Sequence, residues 1–348
     1  MVDLLAKLAY QTLQQGKGAF GVANKQLTTN LLNFFNPARP RPKTEPLSPQ
    51  SLVLLQQRFA QLMELDWLDA EAGIYPTDLL FDSPWGDFLR YYPDFLLDLP
   101  NSWARSQNKQ YQDFAPNLKT EGYPRYYLQN FHHQTDGYLS EQSANLYDLQ
   151  VELLFNGAAD PMRRRVLPPL KAHLTQATQP TRILDVACGT GRTLRMIRGM
   201  LSEAALFGID LSAAYLRKAN QLLSELPGEL PQLVQANAEE IPYVAHYFDA
   251  ITSVFLFHEL PAGVRQTVIE ECCRVLKPGG IFIICDSIQE GDTPEFSANL
   301  KNFPVLFHEP YYRHYITDDI EGHLTQAGFG EIEIQIHFMS KYWIAKKS

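Results

Sequence analysis

The sequence predicts an α/β fold: a Rossmann-like, doubly wound and mostly parallel seven-stranded sheet with a C-terminal antiparallel hairpin and a mainly α-helical N-terminal extension. Two observations predict it. From Thr181 onwards, short apolar runs of strand length alternate with segments of helical periodicity, and a glycine turn joins the first such strand directly to a helix. Strands that alternate with helices form a parallel sheet covered on both faces, and such sheets bind ligands at the carboxyl ends of their strands.

The elements of the predicted sheet follow one another at regular spacing. Lys277-Pro-Gly-Gly280 predicts a tight turn before the fifth strand, and Gly328 predicts the C-cap of a late helix. The predicted strands are 182–187, 205–210, 232–236, 249–256 and 280–286, the predicted helices are 192–201, 212–225, 263–276 and 318–327, and the hairpin segments are 331–337 and 341–346.

Three segments precede the predicted sheet. Residues 1–36 form a basic arm with apolar side chains at helical spacing. Residues 37–49 contain five prolines, a density that excludes a helix and predicts a linker. Ser48-Pro49 is a typical helix start, an N-cap followed by proline at the first helical position. We expect residues 50–165 to form a helical cap, with short helices and loops over 66–130, and residues 166–348 to form the sheet domain.

Charge and cysteine content exclude some classes of function. The chain has 348 residues and a net charge of −9, which argues against a general nucleic-acid binder. Its four cysteines form neither a disulfide framework nor a C-x-x-C metal pattern. The sequence has no apolar run long enough to span a bilayer and no evident signal peptide, so we expect a cytoplasmic location.

The N-terminal arm is positively charged, whereas the chain as a whole is negatively charged. The first 43 residues carry six basic side chains against the single acid Asp3. A basic, apolar arm can lie on an anionic membrane surface, and a peripheral membrane contact through residues 1–36 is one interpretation. The alternative is an arm that packs on its own domain or on a second subunit, as in a homodimer.

The glycine turn indicates the ligand. Asp185 precedes glycines at Gly189 and Gly191, and the second strand ends in Asp210. The glycines let the backbone approach a ligand, and an acid after the second strand accepts hydrogen bonds from ribose hydroxyls. Leu194 stands where a dinucleotide-binding fold has its third glycine. An acid at position 185 repels a pyrophosphate but suits an ammonium group, so we expect a nucleoside with a cationic amino-acid tail.

This pattern resembles the glycine motif of class I S-adenosylmethionine-dependent methyltransferases, and segments throughout 181–287 match the same series. The resemblance implies S-adenosylmethionine as the cofactor. The family usually has Asp at the position of Asn237, whose side-chain oxygen can still accept a hydrogen bond from adenine while the N–H of Ala238 donates to a ring nitrogen. The candidate cofactor-binding residues are Tyr147, Asp185, Ala187, Cys188, Gly189, Gly191, Asp210, Leu211, Asn237, Ala238 and Phe255.

A narrower resemblance extends upstream. Residues 147–287 resemble the ubiquinone/menaquinone-biosynthesis C-methyltransferases (methyltransferase type 11), in which a tyrosine at the position of Tyr147 closes over the cofactor. Two segments depart from that group. The loop after the fourth strand reads Phe-His-Glu-Leu over 257–260 instead of Gly-Leu-Arg-Asn, and residues 308–315 also differ. The resemblance therefore supports the class of enzyme better than a quinone substrate.

Methyl transfer requires an aligned acceptor and, for a hydroxyl or an acidic carbon, removal of a proton. His258, after the fourth strand, is the candidate base, with Glu259 as its orienting partner. The alternative is that His258 only shapes the pocket or caps the next helix. Adjacent histidines at 132 and 133 point apart on most backbones, so we expect no metal site. The candidate substrate residues are Tyr311, Tyr312, His314 and His133.

These observations predict a methyltransferase that acts on a small, aromatic or lipophilic molecule at oxygen or carbon. A non-catalytic cofactor-binding scaffold is the first alternative, and it would form no S-adenosylhomocysteine. A nicotinamide-dependent oxidoreductase is the second, and the missing third glycine argues against it.

Overall fold

The computed structural model describes residues 4–37, 42–175 and 181–348. Its centre is one seven-stranded sheet of order β3-β2-β1-β4-β5-β7-β6. The first five strands pair in parallel and the last two are antiparallel, which confirms the predicted fold class and the terminal hairpin. The strands are β1 (Arg182–Val186), β2 (Ala205–Asp210), β3 (Gln232–Gln235), β4 (Phe248–Val254), β5 (Leu276–Ser287), β6 (Phe329–His337) and β7 (Ser340–Lys347).

Both faces of the central strands are buried. On β5, Phe282 and Ile284 pack into one core and Ile283 and Cys285 into the other, because successive side chains of a strand point to opposite faces. Burial on both sides explains why these strands read as continuous apolar runs. Helices pack on the two faces of the sheet or on one another. They are α1 (Leu4–Phe35), α2 (Pro49–Glu71), α3 (Trp85–Asn108), α4 (Glu141–Leu154), α5 (Ala159–Arg164), α6 (Leu167–Leu174), α7 (Arg192–Met200), α8 (Ala213–Leu223), α9 (Ala262–Val275), α10 (Ser297–Leu306), α11 (Tyr312–Tyr315) and α12 (Ile320–Ala327).

Two predicted helix ends have the expected cap geometry. The Ser48 hydroxyl accepts a hydrogen bond from the Ser51 N–H at the start of α2. Gly328 ends α12 in the left-handed conformation, with φ 107°. The fifth strand begins earlier than predicted, because Phe248 pairs with Leu276 before a bulge takes up residues 277–280.

The N-terminal arm is a single long helix that lies on the chain's own helices α2, α3 and α4. The expectation that a proline linker separates it from the core is therefore wrong for the described residues. Its buried side chains are mostly polar and include Gln14, Lys17 and Asn24. The Tyr10 hydroxyl donates to Asp66 at 2.5 Å. Part of the predicted linker, residues 38–41, lies outside the described residues.

The cap region contains a long helix that the sequence pattern did not predict. Helix α3 runs for 24 residues through Pro93 and Pro100. Two helical turns separate the prolines, and both lie on the exposed face, where water can satisfy the carbonyl groups that proline leaves without a donor. Among the described residues, no helix combines the length and hydropathy needed to cross a bilayer.

Candidate active site

The loop between β1 and α7 is held in an unusual conformation. Gly189 and Gly191 have positive φ, and so does Ala187, a conformation that costs energy for a residue with a side chain. A Cβ atom on Gly191 would lie 3.1 Å from side-chain atoms of Ala219 and Leu223, so this glycine also permits close helix packing. The loop is thereby pressed against the carboxyl end of β2.

Asp210 lies at the end of β2 and is tied to this loop. Its two oxygens accept hydrogen bonds from the backbone N–H groups of Gly189, at 2.9 Å, and Ser212, at 2.7 Å. Burial raises the pKa of Asp210 to about 6, although these two hydrogen bonds lower it. Within the described parts of the chain, Asp210 has no ion-pair partner within 4.0 Å. A half-buried carboxylate held in this way is suited to polar groups of a ligand.

A cavity of about 800 Å³ opens above this loop. Eight of the predicted cofactor residues line it: Tyr147, Ala187, Gly189, Asp210, Leu211, Asn237, Ala238 and Phe255. The other three, Asp185, Cys188 and Gly191, do not line it. Asp185 accepts a hydrogen bond from the Thr252 hydroxyl at 2.7 Å behind the loop, and burial raises its pKa to about 7. Cys188 packs in the core against Gly208.

The side chain of Asn237, for which an adenine contact is predicted, already forms hydrogen bonds within its own loop. The amide oxygen of Asn237 accepts a hydrogen bond from the Glu239 N–H at 3.0 Å, and its amide nitrogen donates to the Glu239 carboxylate at the same distance. The side chain therefore shapes the loop after β3. Asn237 and Ala238 still line the cavity, so their backbone groups remain close to a ligand.

An aromatic roof covers this cavity. It comes from the cap region and from α8, and it consists of Tyr126, Tyr127, Phe131, Tyr138, Tyr147 and Tyr215. Of these six residues, only Tyr147 is among the predicted cofactor residues. Aromatic faces attract a cation such as a sulfonium.

A second cavity of about 670 Å³ continues from the first. The two share three wall residues: Tyr147, Phe255 and Glu259. Phe255 has φ 60° and stacks on Phe155 with ring centroids 5.8 Å apart. The second cavity is mostly apolar, and its remaining lining residues are His132, Val151, Leu154, Phe155, His258, Ser287, Asn299, Leu300, Phe303, Tyr312, Met339 and Ser340.

His258 forms the polar end of the second cavity. Its Nδ1 lies 2.6 Å from Oδ1 of Asp286, which comes from the end of β5. Asp286 also accepts the N–H groups of Phe257 and His258, so it fixes the whole loop after β4. Burial alone would lower the pKa of His258, but Asp286, followed by Glu309 and Glu259, raises it to about 10.

Three further side chains meet His258. Nε2 of His132 lies 3.0 Å from Glu309 and 3.6 Å from Glu259, and Nε2 of His258 lies 4.0 Å from Glu259. Tyr138 donates a hydrogen bond to Glu259. The predicted partnership of His258 with Glu259 is therefore a loose contact, and Asp286 is the group that orients the imidazole. Asp286, His132 and Glu309 were not among the residues predicted for this site.

Of the four predicted substrate residues, only Tyr312 lines the second cavity. His133, Tyr311 and His314 line neither cavity in this structure. His133 and His132 both have positive φ, and His133 lies beside Tyr111 and His308. The ring of His314 faces Arg265 at 2.5 Å. Their sequence neighbours, His132 and Tyr312, reach the cavity instead.

The first cavity fits a nucleoside with a cationic tail better than a dinucleotide. The half-buried carboxylate of Asp210, which has no ion-pair partner among the described residues, lines this cavity together with the aromatic rings. The loop after β3 supplies backbone groups on the third side. Among the residues that the structure describes, no lysine or arginine lines the cavity to neutralise a pyrophosphate.

The comparisons with known proteins agree with this geometry. Residues 183–280 match the family model described as a methyltransferase domain. A demethylmenaquinone methyltransferase of Thermotoga maritima is 29% identical over 50% of this chain and 70% of its own length. A ubiquinone/menaquinone-biosynthesis C-methyltransferase of Stutzerimonas stutzeri is 31% identical over 40% of this chain and 53% of its own length. An O-methyltransferase of Penicillium expansum is 28% identical over 45% of this chain and 54% of its own length.

The family model matches residues of the sheet domain alone. The chain spans little more than half of the length of two of these three relatives. Within that span the matched segment contains the glycine loop, Asp210 and the loop after β4. The chain therefore carries a class I S-adenosylmethionine-dependent methyltransferase domain, with S-adenosylmethionine as its cofactor, and in this segment it resembles the ubiquinone/menaquinone-biosynthesis group.

Proposed function

We propose that this methyltransferase acts on a small, lipophilic, aromatic acceptor at a hydroxyl oxygen or an acidic carbon. The observation that carries the proposal is the shared wall of the two cavities. Tyr147, Phe255 and Glu259 border both the cofactor cavity and the apolar second cavity. An acceptor in the second cavity therefore lies beside the cofactor, and proximity of this kind accounts for much of a transfer reaction's acceleration.

The two cavities have different roles in the proposed transfer: the first holds the cofactor and the second holds the acceptor. S-adenosylmethionine supplies an already activated methyl group when it is bound. Phe155, Phe303 and Leu300 exclude water and hold an apolar ring in the second cavity. His258 and Glu259 lie at the polar end, where the hydroxyl or acidic C–H of the acceptor would lose its proton.

Turnover with defined acceptors tests this proposal. Purified full-length protein is incubated with labelled S-adenosylmethionine and a panel of lipophilic phenols, hydroquinones and enols, and S-adenosylhomocysteine is measured. We expect product with at least one class. Val151→Phe, which narrows the second cavity, should raise the KM for that acceptor and leave cofactor affinity unchanged. Binding of the cofactor without product from any acceptor would instead favour the non-catalytic scaffold.

The cofactor contact is tested at Asp210. Asp210→Ala should weaken binding of S-adenosylhomocysteine at least tenfold, because hydrogen bonds to a charged group contribute roughly 1.5–3 kcal/mol. Titration calorimetry measures the affinity, with NAD and ATP expected to be inert. Glu203→Ala, at an exposed site before β2, is the matched control. Equal affinity in the two variants would remove Asp210 from the cofactor site.

We also propose that the C-terminal end of α1 contacts an anionic membrane surface that carries the lipophilic acceptor. Phe34 and Phe35 are 78% and 68% exposed, and the sequence places Arg39, Arg41 and Lys43 directly after them. Aromatic side chains next to basic ones suit a membrane interface. The N-terminal half of the predicted basic arm contributes less to membrane binding, because Lys7 pairs with Glu64 and Lys17 is buried.

Flotation with liposomes measures this contact. The full chain should float with vesicles rich in phosphatidylserine and lose most of that binding at high salt, since each nearby basic residue contributes about 1 kcal/mol. Phe34→Gln/Phe35→Gln should reduce flotation, and Val244→Gln, at an exposed site in the sheet domain, should not. Equal flotation of all three proteins, or a dimer in sedimentation that the Phe34/Phe35 change abolishes, would contradict membrane contact.

A further inference from the structure

Four side chains from three distant segments converge at the polar end of the second cavity. They are His132 from the cap region, His258 and Glu259 from the loop after β4, and Glu309 before α11. Each offers one nitrogen or oxygen atom, and these four atoms all lie within 4.8 Å of one another. Within the cluster, Nε2 of His132 and Oε1 of Glu309 are 3.0 Å apart.

These separations are those of a coordination shell. Ligand atoms about 2.1 Å from a metal ion lie about 3.0–3.4 Å from their neighbours in octahedral or tetrahedral geometry. The pairs of this cluster at 3.0, 3.6 and 4.0 Å need only a small contraction to reach that arrangement. The cluster is also rigidly supported, since the N–H of His132 donates to the carbonyl of His308 beside Glu309.

Glu309 supplies an independent sign of a missing cation. Its side chain is fully buried, and neither carboxylate oxygen accepts a hydrogen bond. His132 approaches one oxygen, but not with the geometry of a hydrogen bond. A buried carboxylate without donors is costly unless a positive charge lies next to it. One of these oxygens belongs to the cluster, where a cation would satisfy it.

The second layer of contacts is typical of a metal site. Metal-binding histidines usually donate their other ring nitrogen to a carboxylate, which fixes the tautomer and the ring orientation. Nδ1 of His258 lies 2.6 Å from Asp286, so Nε2 is left to face the cluster. Tyr138 donates to Glu259 and positions that carboxylate in the same way.

We propose that His132, His258, Glu259 and Glu309 bind one divalent transition-metal ion. Two imidazoles and two carboxylates suit Zn²⁺, Fe²⁺, Mn²⁺ or Co²⁺, whereas Mg²⁺ and Ca²⁺ prefer oxygen ligands alone. Three of the four residues line the second cavity, so the ion would have one side open to the acceptor. An acceptor hydroxyl bound to the ion loses its proton more readily. This catalytic role rests on the proposed methyl transfer, and the binding of the ion does not.

Metal binding by the untagged full-length protein tests the proposal. After removal of metal with a chelator, the protein is titrated with Co²⁺ and separately with Zn²⁺, and bound metal is measured by elemental analysis after gel filtration. We expect one ion per chain. Glu309→Gln keeps the shape of the side chain and removes its charge, and it should weaken binding at least tenfold, as should His132→Gln. His337→Gln, a histidine on β6 outside the cluster, is the matched control and should bind one ion.

Thermal unfolding separates loss of the site from loss of the fold. Co²⁺ should raise the unfolding midpoint of the wild type and of His337→Gln but not that of Glu309→Gln. The inference is overturned if the wild type retains no stoichiometric metal, or if Glu309→Gln and His132→Gln retain it as tightly as the wild type. In that case protons on the imidazoles balance the carboxylates. Neither result depends on turnover, so failure of the metal site and failure of the proposed methyl transfer are observed separately.

Discussion

Asp66→Ala is expected to destabilise the protein by about 3–5 kcal/mol, the usual cost of removing one partner of a buried ion pair. Asp66 and Arg164 both have fully buried side chains, and two hydrogen bonds of 2.8 and 2.6 Å join them. The hydroxyls of Tyr10 and Tyr75 also donate to Asp66. Without the carboxylate, a buried guanidinium and two hydroxyls lose their acceptor.

Urea unfolding followed by circular dichroism measures this loss. Glu141→Ala, which removes an exposed ion pair with Arg217, is the matched control and should cost less than about 1 kcal/mol. The double variant Asp66→Leu/Arg164→Met should recover much of the lost stability, because apolar replacement of a buried pair is often tolerated. If Asp66→Ala costs no more than the exposed control, the network does not stabilise the fold.

His258→Ala should lower turnover by roughly 10²–10⁴-fold while the affinity for S-adenosylhomocysteine stays nearly unchanged. The imidazole lines the second cavity and not the cofactor cavity, so its loss removes a group at the acceptor end alone. This outcome holds whether the imidazole, which must first lose its own proton because its pKa is raised to about 10, takes the acceptor's proton or holds a metal ion that does the same work. Steady-state kinetics with the acceptor found in the panel gives turnover, and titration calorimetry gives the affinity.

His337→Gln is the control for this variant and should keep wild-type turnover. A His258→Ala protein that retains more than a third of wild-type turnover would show that the histidine only shapes the pocket. Asp286→Asn tests whether Asp286 acts only by orienting His258, because asparagine keeps the size of the side chain that contacts Nδ1 of His258. If Asp286 is a positioning residue, this change should lower turnover less than His258→Ala does.

The sheet and the cofactor loop could be predicted because their signals are local. Apolar runs mark strands that are buried on both faces, and the glycines at 189 and 191 are required by positive φ angles within one turn. Asp210 follows its strand directly, so its position in the sequence indicates its position in the fold.

The residues of the second cavity, where we propose that the acceptor binds, could not be predicted from local signals. His132 and His258 are more than a hundred residues apart in the sequence, and His258 and Glu309 are about fifty apart. Only tertiary packing brings the three together. The sequence therefore pointed to the neighbours His133 and His314 as readily as to the residues that line the cavity. Helix α3 was missed for a different reason: its prolines argue against a helix unless their exposed placement is known.

The Asp66–Arg164 network also bears on how the chain can be shortened. The predicted boundary between cap and sheet domain lies after residue 165, one residue beyond Arg164. Arg192, which begins the helix after the glycine loop, pairs with Asp160 at 2.7 Å across the same boundary. A fragment starting at residue 166 would leave one partner of this ion pair behind and uncover the apolar surface beneath α2. The helical extension and the methyltransferase domain share one interior, so they should be expressed, crystallised and engineered as a single unit.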